Sequence, residues 1–543
     1  MVEITEHTLT RDIDPNVVIE KHFAVFQQLL GFAEESLREG KCDESAAYAQ
    51  VAAHYAWFHP TGLLACPELE AILTQIGAAL APAASVPART PRLPPRNVLH
   101  VLTEVYHIGG HTRFVWRWIR ADAGRSHSVV LTRQDDGEVP KALRVAAEET
   151  GGKIHFLDRQ RGGLMARAET LRRLAFGADH IVLHTYPWDV VPLMALAWTR
   201  GRPPSTLMNK DDHVFWLGVR AADQIAQMRE SGRRLSQRRR GVPESRCPVL
   251  PIPLEVKPRR RTRTEAKRQL GLPAEAVVLL SVATPYKYSA RGKDHFANVL
   301  LPVLQQHANA VLLVVGPQER DEWAFASQQA DGRMKLFGKL GDVEPFYEGA
   351  DVYLDSFPFS SLTSFLEAGS YGTPIVSYCA YPAEAATICA DDPALGGLLV
   401  RAFSQDEYRS QVSRLVEDAE FRTKLGELTR EAIITSHAGG SWIRSLEELY
   451  LRGGEAHRSE LCDGWDVHRA VTQLDIQVAR VYATCGLSPS LRQVVRNHLG
   501  LFPLRARLAI WRKMLGSQWG SLPACLVADW QKTQLRLLWR HAD

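Results

Sequence analysis

The stretch Ala350–Ser377, ADVYLDSFPFSSLTSFLEAGSYGTPIVS, decides the fold. Val352–Leu354 reads as a short strand that runs into a polar turn, and a helix opens near Thr363. Gly372-Thr373-Pro374 then leads into a further strand, Pro374–Ser377. A helix that opens behind small hydroxyl residues is an anion site, because free N–H groups and the positive end of the helix dipole face outward there. Thr363 and Ser364 add hydroxyl donors to that end, and Glu367 lies one turn deeper, placed to accept from a vicinal diol. The plainer alternative is that Thr363 caps the helix and Glu367 is solvated.

Working outward, the same rhythm continues on the N-terminal side. Val277–Val282, Val311–Val315 and Lys335–Phe337 are short apolar or β-branched runs separated by segments long enough for helices. This alternation is that of a parallel sheet covered on both faces. The segment SVATPYKYSARGKDHF (residues 281–296) follows the first of these strands, so Lys287 falls at the carboxyl end of a central strand, with Lys293 a few residues on. An earlier series, Val98–Leu102, Ser128–Leu131, Lys153–Leu157 and His180–His184, has the same character. The spacing predicts two doubly wound α/β domains, residues 97–255 and 265–450. They are joined through an arginine-rich stretch, Arg229 to Arg268, and face a cleft at the carboxyl ends of their strands.

The ends of the chain read differently. Ile19, Phe23, Phe26 and Leu30 form one helical stripe. Tyr48, Val51, Tyr55 and Phe58 form a second, with Asp43 as its N-cap, and Leu69, Ile72, Ile76 and Leu80 a third that opens at Pro67. This helical unit, residues 1–80, ends in APAASVPARTPRLPPR (residues 81–96), a proline-rich linker. Residues 455–543 return to helical patterning. Leu504, Leu508, Trp511 and Leu515 share a face among Arg505, Arg507, Arg512 and Lys513, and Trp519, Trp530 and Trp539 follow. Such a helix either packs its stripe on the protein or lies on an anionic membrane surface.

With 543 residues, 45% hydrophobic and 23% charged, the chain is an ordinary globular protein of several domains, neither disordered nor fibrous. A net charge of +4 implies no nucleic-acid partner. The run RRLSQRRRGVPESR (residues 233–246) has no interleaved aromatics for base stacking and reads as a solvated connector or a contact for an anionic acceptor. Eight cysteines without a CxxC pair suggest reduced, cytosolic usage, with neither zinc site nor disulfide framework. The N-terminus lacks an apolar signal region, and no stretch is long and apolar enough to span a bilayer. The expectation is a cytoplasmic protein, with peripheral contact at the inner membrane face through the C-terminal helices as the one membrane option.

These residues resemble the nucleotide-sugar glycosyltransferases of the GT-B fold, in particular the O-linked N-acetylglucosamine transferases and the bacterial adhesin-glycosylating enzymes. The resemblance covers about residues 97–450 and is strongest over 277–378. It implies that Lys287, Thr363 and Ser364 hold a donor diphosphate and that Glu367 holds the ribose. In LFGKLGDVEPFYEGADVYLD (residues 336–355) it places Gly338 and Lys339 beside the base. The glutamate that retaining enzymes carry eight residues before the one matching Glu367 is here Phe359, which tilts the reading towards inversion.

On the acceptor side, HVLTEVYHIGGHTRFVWRWI (residues 100–119) supplies a Gly109-Gly110 turn with His107 and His111. His184 ends HIVLHTYPWD (residues 180–189), and NKDDHVFWLG (residues 209–218) adds Asp211, Asp212 and His213. His111, then His184 and Asp212, are the candidate bases, and each histidine is as readily a satisfied structural residue. The Asp211-Asp212 pair suggests a metal, but the resemblance implies lysine and a helix dipole in its place. The activity implied is a metal-independent hexosyl or N-acetylhexosaminyl transfer without a cofactor. The donor would be a nucleotide sugar, with UDP among the carriers. The acceptor would be a protein, or a lipid-linked or polysaccharide glycan. Two rivals stand beside it: a nucleotide-sugar epimerase of the same fold, and a non-catalytic nucleotide-binding interaction protein.

Overall fold

The computed structural model describes residues 14–80, 92–134, 137–197, 201–392, 394–455, 465–515, 528 and 531. It contains two six-stranded sheets in which every pairing is parallel. The first is built from β1 (Asn97–Leu102), β2 (Ser126–Leu131), β3 (Ile154–Phe156), β4 (His180–His184), β5 (Ser205–Asn209) and β6 (Gln224–Gln227), in the order β3-β2-β1-β4-β5-β6. The second comprises β7 (Val277–Val282), β8 (Ala310–Val315), β9 (Met334–Leu336), β10 (Val352–Leu354), β11 (Ile375–Tyr378) and β12 (Val400–Ala402), in the order β12-β11-β10-β7-β8-β9. Read from its own first strand, the second sheet repeats the order of the first. Strand order reverses beside β1 and β7, so each sheet opens a crevice at the carboxyl ends of its central strands.

Three strands were not expected from the sequence: β5, β6 and β12. β5 and β6 are wholly buried although their sequences, STLMN and QIAQ, are polar. Their side chains pair with one another and with distant parts of the chain: Asn209 Nδ2 donates to Gln227 Oε1 at 2.7 Å and Ser205 Oγ to Asp223 Oδ2 at 3.0 Å, while Thr206 Oγ1 lies 2.9 Å from His180 Nε2 and Gln224 Nε2 donates to Leu449 O at 3.0 Å. A buried strand whose polar groups are paired internally leaves no alternating hydrophobic pattern to read.

Three N-terminal helices, α1 (Pro15–Arg38), α2 (Cys42–Phe58) and α3 (Pro67–Ala78), pack against the first sheet's helices through one continuous apolar core. α2 is buried on nearly all sides rather than along one stripe, because helix Leu491–His498 covers it from the C-terminal region. Asp43 does not cap α2; its Oδ1 accepts from Met165 N at 3.2 Å, at the start of helix Leu164–Ala175. The buried Glu70 carboxylate accepts from the main-chain N–H groups of Gly218, Val219 and Arg220 and ties α3 to the first domain. Of the proline-rich segment, residues 92–96 are described and 81–91 lie outside the described residues.

The arginine-rich connector is solvated only in part, at Arg234, Arg238 and Arg260 among others. Arg240 is fully buried and donates to Asp212 O and Val214 O, while Arg246 donates to Val219 O, Ala222 O and Asp223 O. Arg259 and Arg263 reach the carbonyls of Glu348, Tyr371, Ala350 and Gly372, which end two helices and would otherwise lack donors. These guanidinia are internal staples, because each supplies several donors where loop carbonyls converge.

Helix Gly439–Glu455 crosses back from the second domain onto the first. Tyr450 hydroxyl donates to Asp122 Oδ2 at 3.0 Å and accepts from Trp118 Nε1 at 3.1 Å. In the last described helix, Leu504–Leu515, Ala506, Ile510 and Trp511 pack on the N-terminal core and Arg507 is buried, while Leu504 is 48% exposed, so the packed face coincides only in part with the expected stripe. The side chains of Lys513 and Leu515, and Trp519, Trp530 and Trp539, lie outside the described residues. Among the described residues no helix is long and apolar enough to cross a membrane. Against the expectation of reduced thiols, Cys379 and Cys389 form a disulfide: the chain leaves β11 and returns beside it ten residues later.

Candidate functional site

Lys287 lies in a single helical turn, Pro285–Tyr288, just beyond β7. Its Nζ donates to Ser360 O at 2.6 Å, on the threshold of helix Leu362–Ser370. Asp355, at the end of β10, holds the hydroxyl-rich turn in shape, since its Oδ1 accepts from Ser356 N at 3.0 Å and Ser361 N at 2.8 Å. Burial pushes the Asp355 carboxyl up to about 6, against its backbone and Lys287 partners. Burial likewise lowers Lys287 to about 8, with Asp355 pulling the other way. A cation, a helix N-terminus and the Thr363 and Ser364 hydroxyls therefore meet at the switch point of the second sheet. Gly338 takes a left-handed conformation, φ +58°, after edge strand β9, with Lys339 exposed beside it. Phe359 packs its ring under Lys287, 5.4 Å from Nζ, and against His213, so the place of the second glutamate is aromatic.

The first domain meets this constellation directly. Gly109, with φ +142°, caps helix α4 (Gly110–Ala121) in a conformation that L side chains rarely adopt. A Cβ on Gly110 would lie 2.6 Å from Thr363 Oγ1, so the absence of a side chain lets the two helix starts touch. From α4, Arg113 Nη1 donates to Glu367 Oε1 at 3.0 Å and Arg117 Nη2 to the same oxygen at 2.5 Å, with Tyr347 hydroxyl on Oε2 at 3.2 Å. Burial opposes ionisation of Glu367, but the two guanidinia outweigh it and hold the carboxyl below its usual range. Expected to await a ribose, Glu367 is instead fully engaged across the cleft, and a diol reaches it only by displacing one of these donors. The sequence signal for Arg113 and Arg117 was their spacing of four on one helix, which says nothing about the partner.

The expected bases separate sharply. Asp212 is wholly buried and paired with Arg229 Nε at 2.5 Å, so it belongs to the packing of the first domain and not to the cleft. His184 is also fully buried, as the end of a row of imidazoles: its Nε2 lies 3.0 Å from His100 Nδ1, and His100 Nε2 lies 2.9 Å from His127 Nδ1. His127 Nε2 donates to Asp122 O at 3.0 Å. A carbonyl only accepts, so in the neutral row each Nε2 carries the hydrogen and His184 Nδ1 is bare. His111 faces Lys210, whose Nζ is 3.4 Å from its Nδ1. With Lys210 donating, the His111 hydrogen sits on Nε2, which makes this residue a donor. Burial lowers Lys210 to about 7 and drives His111 well below its ordinary value. His107 is exposed, with its Nε2 4.0 Å from Glu138 Oε2.

Asp211, which the sequence offered only as half of an acidic pair, lies next to the sealed Asp212. It lies just beyond β5, is only half-buried, and its carboxylate makes no hydrogen bond or ion pair among the described residues, while its main-chain carbonyl accepts from Val214 N at 3.4 Å. Burial and then the neighbouring Asp212 raise its carboxyl to about 6, against Lys210 and Arg240.

Residues 276–418 match the family model described as glycosyl transferases group 1. No curated protein matches the chain in sequence. Among solved structures, that of TarM is similar with a TM-score of 0.50 at 11% identity, over 66% of this chain and 98% of that one. A mutant O-GlcNAc transferase of Thermobaculum terrenum is similar over 80% of this chain and 84% of its own, at 15% identity and a TM-score of 0.47. HepE of Anabaena, in complex with UDP and glucose, is similar over 65% and 98%, at 13% identity and a TM-score of 0.49. With its two sheets wound in the same order and facing each other, this chain has the GT-B fold, and its second domain carries the group 1 glycosyl transferase match.

Proposed function

We propose that this protein transfers a glycosyl group from a nucleotide-diphosphate sugar to an acceptor, with inversion at the anomeric carbon. The observation that carries this reading is the Lys287 ammonium fixed 2.6 Å from Ser360 O, at the mouth of the Thr363–Ser364 helix start and against the Gly109–Gly110 turn. As the anomeric C–O bond breaks, negative charge grows on the departing diphosphate. A preorganised cation and helix N-terminus aimed at that charge stabilise it without reorganisation, and losing one such donor costs about 2.7–4 kcal/mol. Gly338 and Lys339 are the main-chain partners assigned to the base, and Glu367 the partner assigned to the ribose once Arg113 or Arg117 yields. Positive charge for the diphosphate comes from Lys287 and the helix dipole, so transfer is expected to survive chelators. Phe359, standing where retaining enzymes of the resembled group carry a second glutamate, supports inversion.

The test is thermal stabilisation by a panel of nucleotides and nucleotide sugars, UDP-linked ones included, with wild type and Lys287→Ala. A ligand at a hundred times its Kd adds about 2.7 kcal/mol to stability. A shift with one diphosphonucleotide family, lost in the variant, together with nucleotide release only when acceptor is present, is the expected result. Release without acceptor and with an altered sugar points to epimerisation, and binding without turnover to a non-catalytic role.

A further inference from the structure

The loop that the Cys379–Cys389 disulfide closes touches the Lys287 anchor, the first domain and the C-terminal region at once. Cys379 directly follows β11, and Cys389 ends the turn Ala383–Ile388, so the bridge ties the two ends of the loop together. On one side the loop carries the hydroxyl-rich turn: Ile388 O accepts from Ser360 N at 3.3 Å, and Tyr381 hydroxyl donates to Pro358 O at 2.9 Å. Ser360 is the residue whose carbonyl fixes Lys287 Nζ at 2.6 Å. Towards the first domain, Cys389 O accepts from Arg229 Nη1 at 3.2 Å, and Asp391, just beyond the loop, accepts at Oδ2 from Ser231 N at 3.2 Å. From the C-terminal region, Leu474, Val478 and Tyr482 of helix Gln473–Thr484 share one apolar cluster with Ala385 and Ile388, and Gln473 N donates to Glu384 Oε2 at 3.3 Å. Cys379 and Cys389 are buried, at 5% and 3% exposure, whereas Pro382, Ala383 and Glu384 between them are exposed.

We propose that Cys379 and Cys389 form a reversible redox latch on the donor site, in which the disulfide holds the Lys287 anchor ready and the dithiol releases it; this rests on the glycosyl-transfer reading above. Closed by the disulfide, the loop has few conformations to lose when a nucleotide engages Lys287 and the helix start, and binding gains from that preorganisation. Opened, residues 380–388 regain backbone freedom, which must be lost again before Pro358 and Ser360 are held. The chemistry is thiol–disulfide exchange with a low-molecular-weight disulfide such as oxidised glutathione. One cysteine thiolate attacks that disulfide and releases one thiol; the second cysteine then attacks the mixed disulfide and releases the other. Two protein thiols are oxidised, one disulfide is reduced to two thiols, and the two cysteine protons end on the departing thiolates. Reduction is the reverse. Because the sulfurs are covered, exchange requires the loop to lift, and lifting takes Ile388 O and Tyr381 off the turn that holds Lys287. A nucleotide gripped by that turn therefore opposes reduction, since coupling between two sites is reciprocal.

The test equilibrates the full chain in glutathione buffers of graded thiol-to-disulfide ratio, with and without UDP, GDP or ADP. Alkylation and mass spectrometry read the oxidised fraction of Cys379 and Cys389, and calorimetry reads nucleotide Kd in the oxidised and reduced forms. Kd for the nucleotide that binds should be about 5- to 150-fold weaker in the reduced form, and at saturation the same factor should separate the oxidation equilibrium constants measured with and without it. Oxidised glutathione should restore the original Kd, and Cys379→Ala should bind as the reduced form does at every ratio. The reversible cycle in wild type carries the test even where that variant fails to fold. Equal Kd in the two forms overturns the latch while leaving the donor site intact, as does a pair that stays oxidised at every ratio. Binding of none of these nucleotides by either form overturns the glycosyl-transfer reading and the latch with it.

Discussion

At Lys287 the physical demand is for a charged ammonium at the moment diphosphate leaves. Burial lowers this lysine to about 8, so it is charged below that pH and neutral above it. kcat/KM should therefore fall as pH rises through about 8, and Lys287→Arg, which stays charged, should remove that alkaline limb whatever its absolute rate. Gly110 makes a different demand, for space. Gly110→Ala puts a methyl 2.6 Å from Thr363 Oγ1, inside contact distance, and pushes the two helix starts apart. Misplacement of about 1 Å can cost on the order of 10²-fold in rate. We expect a loss of that order in kcat with a melting temperature within a few degrees of wild type, measured by steady-state transfer and by thermal unfolding.

Among elements, the contact between α4 and helix Leu362–Ser370 is one of those that hold the domains together, beside helix Gly439–Glu455. Arg113, Arg117 and Glu367 are largely buried, at 27%, 11% and 11% side-chain exposure. Removing one partner of a buried ionic cluster is costly because the others are left unpaired, about 3–5 kcal/mol for a fully buried pair. Glu367→Gln should thus lower unfolding stability by a few kcal/mol, whereas Arg113→Ala, at the more open position, should cost less. Both should widen the cleft. A radius of gyration from solution scattering that is unchanged in Glu367→Gln would show that this contact does not set the domain separation. Element identity was legible wherever apolar runs alternate with amphipathic ones, as in β1, β7 and β8. It was not legible in β5 and β6, whose polar side chains find partners such as Asp223 and Gln227, 18 positions on, and Leu449 O, 225 positions on.

Across the whole molecule, the buried histidines make stability depend on pH. Burial lowers His54, His59 and His213 to about 3, His22 and His180 to about 4, and drives His100, His184 and His498 well below their ordinary value. Their folded values lie under the unfolded value of about 6.5, so the unfolded chain takes up protons first on acidification. Stability is then fully present above about pH 6.5 and is lost progressively as pH falls towards 4. The melting temperature should drop steeply across that window, with uptake of several protons on unfolding. A flat profile between pH 7 and 5 would mean that these imidazoles are not held neutral. His54 and His498 bond each other at 2.5 Å and join α2 to helix Leu491–His498, so the terminal regions should be the first to respond.

The sequence by itself determined the two parallel-sheet halves, because buried parallel strands must be short apolar runs and the covering helices must lie between them. It also determined the hydroxyl-rich helix start and the lysine after β7, because anion binding at a helix N-terminus is a local property of the chain. Only the tertiary structure decided which acidic and basic groups remain available. Asp211 and Asp212 are identical in type and adjacent, and Arg229, 17 residues further on from Asp212, neutralises one and leaves the other carboxylate without a side-chain partner among the described residues. Glu367 meets Arg117 across 250 residues of chain, and the His184 row spans three strands. Ionisation depends on burial and on charges within a few ångströms, and those neighbours are set by how the elements pack rather than by their order along the chain.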